Sequence, residues 1–218
     1  MQTPVAKLSA IAEPPRLRGR PGKRKLILDA ALRVFARVGF HRARVSDIAR
    51  EAGIAYGLVY HYFRNKDEIL ATIFEERWTA FLDAVEQVDA SPVPAREKLA
   101  TIANLILGAW QVRPEWVKVL VLEIQRSSRF AEPFQLRAVS RLFQLVAGIL
   151  REGQARGELR GDVDPETASR VFLGALEMAV TSLVLEVTRI GDGESAEQYC
   201  RRVGQSVVDV FLNGVART

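Results

Sequence analysis

Residues 41–66 run His41-Arg42-Ala43-Arg44-Val45-Ser46-Asp47-Ile48-Ala49-Arg50-Glu51-Ala52-Gly53-Ile54-Ala55-Tyr56-Gly57-Leu58-Val59-Tyr60-His61-Tyr62-Phe63-Arg64-Asn65-Lys66. Ile48 and Ala49 fall in a short helix that stops before Gly53, and Leu58, Val59 and Tyr62 fall in a second. Gly53 suits the tight turn because it reaches positive φ without a steric penalty. Two short helices that meet at a glycine turn, with apolar residues on both sides, make a helix-turn-helix. Ile48, Ala49, Ile54, Val59 and Phe63 form the small core that sets the angle between them, and Tyr62 groups with Phe63 on that side. The second helix then presents Ala55, Tyr56, Gly57, Leu58, Tyr60 and His61 outward. Small residues at its start let a DNA backbone come close, and free N–H groups there favour a phosphate.

The flanks extend the helical pattern. Leu26, Ile27, Ala30, Ala31, Val34, Phe35 and Val38 recur at spacings of three and four, the mark of one helical face, and Gly39 supplies a stop. Asn65 caps the next helix, with Asp67 and Glu68 in its first turn. That helix carries Ile69, Leu70, Ile73, Phe74, Trp78 and Phe81, and is long enough to link two domains. Ser91-Pro92-Val93-Pro94 is a break, followed by a helix over Ala95 to Val112. Pro114 opens another at a first-turn position. Ser127 to Pro133 is a further break before a long helix over 134–155, which Gly157 and Gly161 end. Asp164-Pro165-Glu166 reads as a cap, a first-turn proline and an early acid, starting a helix that runs to about Val187. Gly191 and Gly193 separate it from a last helix, Ser195 to about Val215. The pattern predicts an all-α chain of about nine helices with no strand alternation, hairpin dipeptide or internal repeat.

Composition narrows the class. The 218 residues are 48% hydrophobic and lack an apolar run of membrane-spanning length. Nothing at the N-terminus reads as a secretory signal. The single Cys200 cannot form an internal disulfide, which suits a reducing cytoplasm. Charge is divided unevenly: residues 1–66 hold 14 Lys/Arg against 4 Asp/Glu, and the rest hold 17 against 22. A basic first third on an acidic body points to a polyanion at one end. Arg16 to Lys25 contain six basic residues and no acid, fit for phosphates or a minor groove, or simply a solvated tail. Catalysis would need a nucleophile with its base, or a metal set. Both histidines lie far from Cys200 and no ligand spacing occurs, so neither a catalytic site, a metal site nor a cofactor is expected.

The helix-turn-helix stretch closely resembles the TetR family. The Ile48-Ala49…Ala52-Gly53-Ile54 turn, the Gly57-Leu58-Val59-Tyr60-His61-Tyr62-Phe63 run and Asn65-Lys66-Asp67-Glu68-Ile69-Leu70 fall in register without gaps, as does Val38-Gly39-Phe40. The likeness spans about residues 22–80. It implies three regions: a basic arm over 1–20, a three-helix DNA-binding domain over 21–81, and a helical effector-binding and dimerisation domain over 82–218. Carried over by register, Tyr60, His61 and Lys66 match phosphate contacts, and Tyr56 and Leu58 match positions that reach base edges. Ala55, Gly57 and Ser46 complete the face. Arg44 stands where the family often has a capping Thr or Ser, which points it toward a phosphate. Tyr56 replaces a frequent Lys or Arg, so base reading leans on apolar contact with thymine methyls. Arg50 has two open partners, DNA or a neighbouring acid.

The implied partners are a double-stranded DNA operator, a second copy of the chain and a small effector. In the last two helices Val171, Gly174, Ala175, Met178, Ala179, Ser182 and Leu183 make one stripe, and Val203, Val207, Val208, Val210 and Phe211 another. Two such helices from each subunit would give a four-helix bundle, although part of each stripe faces its own core. Three segments resemble the fatty-acid-degradation repressors, which respond to long-chain acyl-CoA: Leu122 to Ser127, Gly148 to Leu159, and Gly174-Ala175-Leu176-Glu177 with Val180-Thr181. An acyl chain needs an apolar tunnel, for which Leu105, Trp110, Val119, Leu122, Phe143, Val146 and Phe172 are candidates. A CoA end needs cations, for which Arg126, Arg129, Arg137 and Arg141 are available. A different hydrophobic effector such as a drug or toxin, or a low-specificity DNA-binding protein, fits the same residues.

Overall fold

In the computed structural model, which describes residues 22–124, 133–188, 190–191 and 193–215, the described residues form nine α-helices. They are α1 (Lys23–Val38), α2 (Val45–Ala52), α3 (Tyr56–Tyr62), α4 (Lys66–Asp89), α5 (Ala95–Val112), α6 (Pro114–Ile124), α7 (Pro133–Ala155), α8 (Pro165–Val184) and α9 (Ala196–Val215). The basic arm over 1–20 lies outside the described residues, as does the segment 125–132.

Caps fall where the sequence puts them. The Asn65 side chain accepts from the Glu68 N–H at 2.8 Å, and Asp164 accepts from the Thr167 N–H at 2.8 Å. These bonds satisfy first-turn donors that have no partner inside the helix. Gly39 and Gly53 take φ of 78° and 65°, where a side chain would be strained. α8 ends at Val184, three residues before the expected Val187, and Glu186 turns the chain away with φ of 56°.

Two hydrophobic cores result. The first is built by α1 to α4 around Ile27, Val34, Phe35, Phe40, Ile48, Val59, Phe63 and Phe74, and it also takes in Val119 of α6. The second is built by α5, α7, α8 and α9 around Leu99, Ile102, Leu107, Val146, Ile149, Phe172 and Leu176. α8 is long and apolar enough to cross a membrane, yet half of its most apolar window is buried inside this bundle, as for a core helix. Lys98, 1% exposed, is the large exception to the apolar rule. Its ammonium donates to the Asp89 carbonyl at 2.6 Å and to Glu152 Oε2 at 2.8 Å, and so ties the end of α4 to α5 and α7.

One close approach holds the far end of the bundle. A Cβ on Gly153 of α7 would come within 2.8 Å of Ala95 Cβ and 2.9 Å of Leu159 Cδ1. The Leu159 side chain can turn aside, but the Ala95 Cβ moves only with its backbone, so Gly153→Ala should destabilise the chain by about 1–3 kcal/mol. Urea unfolding read by far-UV dichroism checks this: the midpoint should fall with little change in slope.

Candidate DNA-reading face and effector cavity

The helix-turn-helix rests on α1. Glu51 of α2 receives Arg33 Nε at 2.7 Å and both terminal nitrogens of Arg37 at 3.2 Å. Arg33, then Arg37, hold the Glu51 carboxyl below its ordinary value of 4.5. Arg50 pairs with Asp47 of its own helix, the neighbouring acid of its two open partners. Asp47 also accepts from the Arg44 backbone N–H at 3.1 Å, which closes the start of α2 without a Thr or Ser. The Arg44 side chain is left exposed.

The outward face of α3 is largely as read. Ala55, Tyr56, Gly57, Tyr60 and His61 are exposed, as is Ser46 on α2, while Val59 and Phe63 are buried. Leu58 is half-buried, which leaves only its edge for a base. Tyr62 departs from expectation: it is 37% exposed and stacks edge-on with His61, so it belongs to the surface. Tyr56 and Tyr60, one helical turn apart, share a hydroxyl–hydroxyl hydrogen bond of 3.0 Å with rings edge to face. The pair gives α3 a braced aromatic ridge, and the bond from Tyr56 raises the pKa of Tyr60. Lys66 also differs from its expected role. Its ammonium donates to the carbonyls of Phe40, His41 and Ala43 at 2.9, 2.9 and 3.1 Å. All three N–H donors are thus spent on the α1–α2 turn, leaving none for a phosphate.

A half-enclosed cavity of about 310 Å³ opens in the other half of the molecule. Its wall comes from α4, α5, α6, α7 and α8, and is apolar except for Arg77, Arg113 and Glu177. Of the expected lining residues, Leu105 and Phe143 reach it. Trp110 and Leu122 do not; both pack half-buried against the effector core. Phe172 and Val146 are fully buried in that core, and Phe172 stacks on Phe211 at 5.1 Å. Val119 turns the other way, into the DNA-binding core. These differences share a cause: periodicity shows which face of a helix is apolar, not whether that face meets a neighbour or a void. Of the expected cations, Arg126 and Arg129 lie outside the described residues, Arg137 is exposed, and Arg141 is paired with Glu86 of α4 at 2.8 Å.

The cations on the wall, Arg77 and Arg113, were not expected. One sign of Arg77 is present in the sequence: it occupies an apolar-stripe position of α4, seven residues from both Leu70 and Ala84 and four from both Ile73 and Phe81. The expected dimer stripe divides between surface and core. Val171 and Met178 are 59% and 63% exposed, and a Cβ on Gly174 would meet nothing within 4 Å. Ser182 is half-buried, while Val207 and Phe211 pack on their own core and Val210 instead is exposed.

Comparison with known proteins now fixes the family. A family model described as bacterial regulatory proteins, tetR family, matches residues 27–73, and one described as YsiA-like protein, C-terminal region, matches residues 74–194. The chain belongs to the TetR family. It is 31% identical over 159 residues to the fatty acid metabolism regulator protein of Bacillus subtilis, covering 73% of this chain and 82% of that one. Its fold is similar to that of the transcriptional regulator FadR from Bacillus subtilis in complex with stearoyl-CoA, with TM-score 0.75, 28% identity, and 87% and 98% of the two chains covered. The fatty acid degradation regulator FadR from Bacillus halodurans gives TM-score 0.74 at 26% identity, with 88% and 97% covered. In this TetR-family chain the join of the two family models, at residues 73 and 74, falls inside α4, the helix shared by both cores.

Two outcomes follow. Lys66→Met should lower stability by about 2 kcal/mol, because three carbonyls lose a charged donor; thermal unfolding of the free protein reads it. A phosphate contact would instead weaken DNA binding and leave stability unchanged. For Glu51, the folded pKa lies below the unfolded one. Its contribution to stability is therefore complete above pH 4.5 and is lost as pH falls through the lower folded value. Glu51→Gln should be less stable near neutral pH and lose less stability on acidification, measured by denaturant unfolding at pH 7 and pH 3.5.

Proposed function

We propose that the chain is a homodimeric transcriptional repressor that holds a near-palindromic operator and releases it when a hydrophobic effector, in the first instance a long-chain acyl-CoA, fills the α4–α8 cavity. The observation that carries this is the double role of α6. Trp116, Val117, Leu120 and Val121 line the cavity, while Val119 is buried in the core that seats the helix-turn-helix. A ligand pressing on one face of α6 acts on the other. The acyl-CoA class is supported by the relative's name and by the stearoyl-CoA held by a chain of the same fold.

On this proposal residues 21–81 read DNA, and residues 82–218 receive the effector and pair two copies. Arg44, Ser46, Ala55, Tyr56, Gly57, Leu58, Tyr60 and His61 form the DNA face. The exposed side of α8, with Val171, Gly174, Met178 and Ser182, meets its copy beside Val210 of α9, four helices in all. Two α3 helices then enter successive major grooves about 34–36 Å apart. The effector shifts that spacing only through its different affinity for the two arrangements. We take the protein to be cytoplasmic, where chromosomal DNA is reached, and to be without catalytic activity.

The test is release of the full-length protein from its own promoter DNA during titration with acyl-CoA thioesters of increasing chain length. Release by long chains at micromolar concentration, and none by free CoA, is the expected outcome. No release by any chain length would discard the acyl-CoA class and leave smaller hydrophobic compounds. Tyr60→Ala with His61→Ala should weaken operator binding by about tenfold or more while the fold is kept. Unchanged binding would remove α3 from the interface.

A further inference from the structure

Arg77 is an under-used cation in an awkward place. Its side chain is 19% exposed and sits on the wall of the apolar cavity. Its acidic neighbour, Asp29 of α1, stands at 3.9 Å, too far for a hydrogen bond. A guanidinium carries five N–H donors, and removing it from water is costly unless they are used. Burial holds the Arg77 pKa below its ordinary value, and the charge of Arg113 pushes it the same way against Asp29 and Glu76. Arg113 lines the same cavity. Arg77 thus offers N–H donors that lack a good acceptor, in a place where the charge of Arg113 repels it.

We infer that Arg77, with Arg113 on the same wall, forms a subsite for an anionic oxygen group of the effector, and that this group competes with Asp29 for Arg77. The subsite takes a carboxylate or a phosphate attached to an apolar chain. The chain fills the rest of the wall, and the anion supplies the acceptors that Arg77 lacks. The competition carries the signal. Arg77 and Asp29 join α4 to α1, as does the nearby pair Arg24–Glu76. An anion that turns Arg77 toward the cavity removes one of the two ties and leaves α1 looser on α4, with the helix-turn-helix that Glu51 fastens to α1.

This rests on the proposed cavity for a hydrophobic effector, and the test separates the two. Full-length protein is titrated by calorimetry with palmitoyl-CoA, with palmitate, and with palmitic acid methyl ester, which keeps the chain without the charge. Wild type should bind at least one of the two anions about tenfold or more tightly than the ester. Arg77→Gln should erase that advantage and leave the ester unchanged, which also shows that the variant is folded; Arg77→Lys should restore part of it. Loss with palmitate identifies a carboxylate, and loss with palmitoyl-CoA alone identifies the phosphates. Asp29→Asn, which neutralises the competitor, should tighten anion binding. Equal binding of all three compounds, or an equal loss of all three in Arg77→Gln, would overturn the subsite while the cavity stands. Unchanged anion affinity in Asp29→Asn would overturn the competition. Binding of none of the three would overturn the cavity and the subsite together.

Discussion

On α6, Val117 turns into the effector core and Val119, two residues on, turns into the core that seats the helix-turn-helix; both are buried. Trp116 of the same helix meets Phe74 of α4 edge to face at 4.8 Å, inside the DNA-binding half. This helix of 11 residues is thus held from two sides, with Glu115 and Lys118 on its exposed one. Interiors packed at crystal-like density pass displacements on rather than absorb them. The cavity lies against this helix, and so do the contacts that orient α1. Coupling between a ligand and DNA therefore needs no long relay, only a helix held from both sides.

Polar groups in this molecule follow a consistent economy. Where a cation is buried, it is given acceptors: Lys98 finds a carbonyl and a carboxylate, and half-buried Lys66 finds three carbonyls. Those two fasten turns and helix ends. Arg77 breaks the pattern, with one distant carboxylate and an apolar void in front of it. A cation left short of partners beside a cavity is the kind of group a transient ligand could use.

The DNA face shows a similar division between positioning and reading. Arg33, Arg37, Asp47 and Arg50 spend their charges on fixing α1 and α2. Those three arginines are therefore structural, and the exposed ridge of Tyr56 and Tyr60 is aromatic rather than cationic. On the proposed DNA face, an aromatic ridge of this kind suits apolar contact more than bidentate pairing from arginine.

The amino-acid sequence by itself determined the helices, their caps and the helix-turn-helix. These depend on neighbours three and four residues apart, on φ allowed at Gly39 and Gly53, and on side chains such as Asn65 and Asp164 that reach their own first turn. Its limits were all of one kind. Tyr62 and Phe63 look alike in sequence, yet one is on the surface and the other in the core, because only the seating of α3 on α1 and α2 distinguishes them. Trp110, Leu122, Phe143 and Phe172 are equally apolar, yet only Phe143 lines the cavity. Lys66 finds its carbonyls more than 20 residues away. Whether an apolar face meets a neighbour or a void, and which acid stands opposite Arg77, are decided by how distant helices cross, and that is set in the packed molecule alone.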